Sequence, residues 1–174
     1  MGFSGRTHPA PTNHAPRVTH SPAVLFVCLG NICRSPLAEA AFRAVADAAG
    51  LDVEVDSAGT GAWHIGSPPD PRARDVALKN GHDIGHLAAR KVTREDFARF
   101  SHIVALDHDN LRALERLRPA GSAAALSLLL DYALGRVGEA VADPYYGGPE
   151  GFAVTWAEVS AGAEGLVRHL SRTR

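Results

Sequence analysis

Apolar and polar positions along the chain follow two alternating rhythms. The run AVLFV at 23–27 is continuously apolar and rich in valine and phenylalanine, the pattern of a strand covered on both faces. Beyond it, Leu37, Ala41, Phe42, Val45 and Ala49 recur at helical spacing, and Gly50 supplies the stop. Ser35 and Pro36 predict the start of that helix, with serine as cap and proline at the first helical position. VEVDS, with Val53 and Val55 alternating against acids, predicts a second strand. DPRARDVALKNG predicts a helix stopped by Gly81, and TREDFARF a shorter one capped by Thr93. HIVALD reads as another apolar strand, and HDNLRALERLRP as a helix ended before Pro119. AALSLLLDYAL fits helix and strand equally. A last helix is predicted from about Gly151 to His169, with Phe152, Trp156, Val159, Leu166 and Leu170 on its inner face. Strands alternating with helices imply the α/β class: a single domain around a parallel sheet with helices on both faces.

Residues 1–22 break both rhythms. They hold four prolines and three histidines and little that could be buried, so a disordered leader is expected, with the folded domain at 23–174. The leader has no apolar segment of a secretory signal, and Arg6 stands where a myristoylation motif needs Ser or Thr. His8, His14 and His20 are too widely and evenly spread to read as a metal site.

Composition narrows the field. With 18 Lys and Arg against 19 Asp and Glu, the near-neutral balance gives no reason to expect nucleic acid or an anionic membrane as partner. No apolar run approaches the length of a membrane span. Two cysteines in 174 residues cannot build a secreted disulfide scaffold, so a reducing, cytoplasmic setting is expected.

Both cysteines fall in one short stretch, VLFVCLGNICRSP, the first directly after the apolar strand. A ligand site is expected there, outside the carboxyl end of a strand and ahead of a helix N-terminus. A loop of successive backbone N–H groups leading into a helix cradles anions. Gly30 permits a tight turn, and Asn31 tolerates left-handed backbone. Arg34 follows Cys28 after five intervening residues, so the loop can wrap and bring a two-pronged guanidinium back over the sulfur. Those donors favour a thiolate, and a thiolate beside a bound phosphate is a nucleophile aimed at phosphorus. Ser35 can donate a hydrogen bond to the sulfur. Two cysteines without a nearby histidine supply too few ligands for a metal. Two buried cysteines acting as small hydrophobes would leave Gly30, Asn31 and Arg34 unexplained.

VLFVCLGNICRSPLAEA resembles the signature of the low-molecular-weight protein tyrosine phosphatases. DSAGTGAW at 56–63, DPRA at 70–73, LDHDNL at 106–111 and DPYYGG at 143–148 extend the resemblance in order from Val24 onward. The proline- and histidine-rich leader departs from the family, and the match is loose over 81–90 and 120–138. The resemblance implies a four-stranded parallel sheet flanked by helices, and hydrolysis of phosphotyrosine through a cysteinyl-phosphate without cofactor or metal. It implies Cys28 as nucleophile, Arg34 as phosphate clamp and Asp143 as general acid and base. Leu29, Gly30, Asn31, Ile32, Cys33 and Arg34 correspond to the phosphate-binding loop. Ser35, Asn31, Ser57 and His86 resemble the groups that support the loop, with His82 a rival for His86. Trp63, Tyr145 and Ile32 resemble the walls of the substrate cleft, where flat rings suit an aryl phosphate; His64 could edge it.

Phosphotyrosine-containing proteins are the expected substrates, and phosphate or vanadate the expected inhibitors. Cys33, on a loop that must curl, is expected to pair with an oxidised Cys28. Three other readings compete. An arginine phosphatase of the same fold carries threonine in place of Ile32 in related sequences. A non-catalytic phosphotyrosine-binding module would have no need of Cys28, Arg34, Ser35 and Asp143 together. An arsenate reductase would need further cysteines downstream, and Cys28 and Cys33 are the only ones in the chain.

Overall fold

The computed structural model describes residues 20–173. The leader expected at 1–22 lies, up to Thr19, outside the described residues. The sheet has four strands, β1 (Ala23–Cys28), β2 (Glu54–Gly59), β3 (His102–Ala105) and β4 (Ala125–Leu128). Their order is β2-β1-β3-β4, and every pairing is parallel. Helices α1 (Arg34–Ala48), α2 (Pro71–Lys79), α3 (Asp96–Arg99), α4 (His108–Leu117) and α5 (Pro149–Arg172) make the connections and close the chain.

The unbroken apolar run of β1 has a direct cause, because it lies between β2 and β3 and is buried along its whole length. Val24, Phe26 and Cys28 point into one core with Phe42 of α1 and Phe152, Val159 and Leu166 of α5. Leu25 and Val27 point into the other with Phe97 of α3, Phe100, and Leu114 of α4. This is the period-two alternation of a strand that has no solvent face. On the inner face predicted for α5, Phe152, Val159, Leu166 and Leu170 are buried and Trp156 is partly so.

Several boundaries differ from expectation for identifiable reasons. Ser35 is not a cap: α1 begins at Arg34 with Cys33 at the N-cap position, and the Ser35 hydroxyl is engaged at Cys28 instead. Thr93 does not cap α3 either. The helix is a single turn starting at Asp96, and the Asp96 carboxylate accepts from the Thr93 amide at 2.8 Å, reversing the expected direction. The ambiguous AALSLLLDYAL divides into β4 and a 3₁₀ turn at Leu129–Tyr132, whose leucines face α5. The strand of VEVDS runs on to Gly59, and α5 is longer than predicted at both ends.

That 3₁₀ turn sits tight against α5 because Gly165 leaves room for it. A Cβ at Gly165 would lie 1.8 Å from the Tyr132 carbonyl oxygen, a clash with backbone that no rotamer relieves. Helix propensity alone favours alanine over glycine by about 1 kcal/mol, whereas overpacking costs about 1–3 kcal/mol. Packing should win, so Gly165→Ala should lower the urea midpoint. A raised midpoint would show that the turn moves freely away from α5.

Candidate active site

β2 and β3 lie on opposite sides of β1, so the chain leaves β1 at a switch point of the sheet, where crevices open at the carboxyl ends of strands. Cys28 is the last residue of β1 and is buried. The loop beyond it is pulled into a curl by outside donors. The amides of Thr60, Gly61 and Asp70 take the carbonyls of Cys28, Leu29 and Ile32 at 2.8–2.9 Å, and the Cys33 carbonyl accepts the first helical bond of α1 from Leu37 at 3.3 Å. Drawing carbonyls outward is the arrangement that turns a loop's N–H groups toward its centre. Gly59 permits the close approach of β2, since a Cβ there would sit 2.7 Å from the Leu29 carbonyl oxygen.

Asn31 holds the curl from inside. It is the one non-glycine described residue with positive φ, at 57°, and its buried amide is fully used. Its Nδ2 donates to the Ser35 hydroxyl at 2.8 Å and to the Ser57 hydroxyl at 3.0 Å, while Oδ1 accepts from the Arg90 backbone amide at 3.0 Å. Ser35 in turn lies 3.0 Å from the Cys28 sulfur. Of the four expected supports, Ser35, Asn31 and Ser57 therefore form one connected network on the sulfur. His86 does not reach it. It lines a surface depression with His82, Asp83 and Glu39, while the remaining contact of the Asn31 amide is made by the Arg90 backbone. His82 packs its ring on Trp156, with centroids 5.6 Å apart.

Arg34 is buried, its side chain 3% exposed, at the first position of α1. Nη1 donates to Asp107 at 2.7 Å and to the Val141 carbonyl at 3.1 Å, and Nη2 reaches Asp143 at 3.4 Å. Burial by itself would weaken its hold on the proton. The charge of Cys28, the Asp107 hydrogen bond and the charge of Asp143 outweigh burial, so the guanidinium is held above its ordinary value and stays cationic. Asp107 and Val141 were not foreseen as partners. Asp107 carried a usable signal, because it follows the β3 strand that neighbours β1 and so ends at the same edge of the sheet. It also caps α4, accepting from the Asn110 amide at 2.7 Å.

Together these groups form the floor of a cleft of about 400 Å³ lined by the loop, Arg34 and Asp143, with Trp63, His64, Tyr145 and Tyr146 as walls. Asp143 is 38% exposed on its side chain and fixed by an Asx turn, its Oδ1 accepting from the Tyr145 amide at 3.1 Å. The Tyr145 and Tyr146 rings meet edge to face at 4.9 Å. Trp63 is 73% exposed and so forms a rim rather than part of the core. Cys33 is buried beside the loop as a free thiol, and burial first, then Asp70, pushes its proton loss far above the ordinary range. Among the described residues no cluster of His, Cys, Asp or Glu could hold a metal ion, and no helix is long and apolar enough to cross a membrane.

Fold and site thus define an α/β protein with a buried cysteine at the base of a tightly curled loop. The sequence profile of the low molecular weight phosphotyrosine protein phosphatases matches residues 23–174, and the chain belongs to that family. It is 51% identical over 138 residues to the low molecular weight phosphotyrosine protein phosphatase of Schizosaccharomyces pombe, covering 78% of this chain and 88% of the relative. The crystal structure of a protein tyrosine phosphatase from Entamoeba histolytica superposes with a TM-score of 0.83 at 35% identity, over 88% of this chain and 99% of that one. A Drosophila arginine phosphatase superposes with a TM-score of 0.79 at 32% identity, over 84% and 96% of the two chains.

Beneath the loop lies a buried acid that the sequence reading passed over. Glu39, in the second turn of α1, is 2% exposed, 3.8 Å from Arg43 and hydrogen-bonded to Ser57. Burial raises its carboxyl to about 7, opposed by Arg43 and Ser57 and reinforced by Asp56. Above the ordinary carboxylate range the unfolded chain has released this proton while the folded protein still holds it. The resulting stabilisation is complete at lower pH and is lost as pH rises toward about 7. Glu39→Gln keeps the neutral shape and removes the titration. Between about pH 4 and pH 8 the wild type should lose about 3 kcal/mol relative to this variant. Urea midpoints across that range check the sign, and parallel curves would contradict it.

Proposed function

We propose that this protein hydrolyses phosphotyrosine in proteins, with Cys28 as nucleophile, Arg34 as phosphate clamp and Asp143 as general acid and then base. The observation that carries the reading is the convergence on one cleft of a buried cysteine bonded to Ser35, a buried cationic Arg34 and a half-exposed Asp143. The loop 29–34 and the Arg34 fork take the non-bridging oxygens. The Cys28 thiolate attacks phosphorus and the bond to the tyrosyl oxygen breaks, that oxygen receiving the Asp143 proton. Asp143, now a carboxylate, takes a proton from the water that attacks the cysteinyl-phosphate. Phosphate departs and the thiolate returns, met by the Ser35 hydroxyl. Asn31 and Ser57 hold the loop ready. Trp63 and Tyr145 offer rings to the tyrosyl ring, and Ile32 narrows the entrance. Inorganic phosphate and vanadate compete for the same cradle. Two free thiols and a reaction that depends on one of them suit a cytoplasmic setting.

The likeness to an arginine phosphatase gives a second reading some weight, and Ile32 argues against it. A buried, branched apolar side chain at the loop wall disfavours the planar phosphoguanidinium. One panel of assays decides both points. Cys28→Ser should abolish turnover while still binding vanadate. Asp143→Ala should cut kcat/KM for phosphotyrosine by about 10²–10⁴-fold. It should affect dinitrophenyl phosphate far less, because that leaving group needs little protonation. Equal losses on the two substrates, or a wild type that prefers phosphoarginine, would overturn the assignment.

Cys33 completes the proposal as a redox partner. Peroxide converts the Cys28 thiolate to a sulfenic acid with release of hydroxide. Cys33, whose proton passes to the departing sulfenic hydroxyl, then attacks that sulfur, forms the disulfide and releases water. Dithiothreitol should restore activity to the oxidised wild type but not to Cys33→Ser. Equal recovery would mean that Cys33 protects nothing.

A further inference from the structure

Two loops must keep a fixed separation for this chemistry: the one that holds Cys28, and the one that holds Asp143. Arg34 touches both, but it lies at the bottom of the cleft. A second tie crosses outside it. The Asp70 amide donates to the Ile32 carbonyl in the middle of the first loop at 2.8 Å. The Asp70 carboxylate caps α2, where Pro71 fixes the first turn, and is gripped on both oxygens by Arg72, Nε to Oδ1 at 3.0 Å and Nη2 to Oδ2 at 2.9 Å. The rest of the same fork reaches the second loop, Nη1 to the Gly147 carbonyl at 3.0 Å and Nη2 to the Tyr145 carbonyl at 3.0 Å. The guanidinium carbon lies 4.6 Å from the Phe152 ring centroid in the first turn of α5 and 5.8 Å from that of Tyr145.

From this we infer that Arg72 is a positioning residue for the general acid: with Asp70 it forms a bracket that sets Asp143 against the Cys28 loop. The inference rests on the assignment of Asp143 as acid. The tie continues to Asp143 itself, since its carboxylate accepts from the amide of Tyr145, whose carbonyl Arg72 holds. Only a planar fork can serve two carboxylate oxygens and two carbonyls at once, so lysine is no substitute. Phe152 keeps the plane of the fork in place from the core side. Arg72 makes no hydrogen bond or ion pair with Cys28, Arg34 or Asp143 among the described residues, so its route to the general acid runs through the loop it holds, while its charge also reaches Cys33.

Loss of position and loss of fold have different signatures. Misplacement by about 1 Å costs up to about 10²-fold, and only in the step that needs the displaced group. kcat/KM reports the chemistry up to departure of the leaving oxygen, so it should be measured for a series of aryl phosphates of rising leaving-group pKa. In Arg72→Gln it should fall about tenfold or more on phosphotyrosine and less than about twofold on dinitrophenyl phosphate. Arg72→Lys should follow Arg72→Gln, and adding Arg72→Gln to Asp143→Ala should steepen the series no further. Uniform loss across the series, no loss, or full rescue by lysine overturns the bracket. Asp143→Ala measured in the same series separates the two levels of the argument. A flat response there removes the acid assignment and this inference with it. A steep response there beside a flat one in Arg72→Gln overturns the bracket alone.

Discussion

The side-chain amide of Asn31 reaches Ser35, Ser57 and the backbone of Arg90 while its own backbone stays in the left-handed region. Left-handed backbone is unfavourable for a residue with a Cβ, by about 1–2 kcal/mol, so something must hold it. Three hydrogen bonds in a buried setting do so, each contributing about 0.5–1.5 kcal/mol. Their partners come from α1, from β2 and from the segment after α2, so the loop inherits the rigidity of three separate parts of the fold. The sulfur position, the outward carbonyls and the placement of Arg34 all follow from that curl.

Charge in the cleft is arranged around one buried cation. Arg34 could not remain charged at 3% exposure without partners, and Asp107, Asp143 and the Val141 carbonyl supply them. Asp107 is the firmer of the two acids, at 2.7 Å against 3.4 Å for Asp143. The closer acid holds the guanidinium, and the looser one stands more exposed at the mouth, in keeping with the role proposed for it. The same distribution suits a phosphate: its arrival brings negative charge to a site already centred on a fixed cation and the curled loop, so little reorganisation is required.

What could be read from the sequence was what is local in the chain. The strand before Cys28, the glycine stops near 50 and 81, and the five residues between Cys28 and Arg34 are each confined to one element or one short loop, where spacing determines geometry. What was misread depends on partners far along the chain. Ser35 looks like a cap until Cys28 and Asn31 claim its hydroxyl. Asp107 joins Arg34 across 73 positions, and only the pairing of β1 with β3 brings them together. Arg90 meets Asn31 across 59 positions, and it does so through a backbone amide, a group no residue type reveals. Glu39 left a faint sign: an acid among Leu37, Ala38, Ala40 and Ala41 on a helix whose first turns are buried.

The Asn31 amide, and not merely a permissive backbone, keeps the loop curled. Asn31→Gly separates these, since glycine enters the left-handed region freely but carries no amide. The measurement is the inhibition constant of inorganic phosphate for this variant and the wild type at one pH and ionic strength, with melting curves showing both folded. Loss of the network should weaken phosphate about tenfold or more, the equivalent of about 1.4 kcal/mol. An unchanged constant would mean that the loop curls without the Asn31 amide.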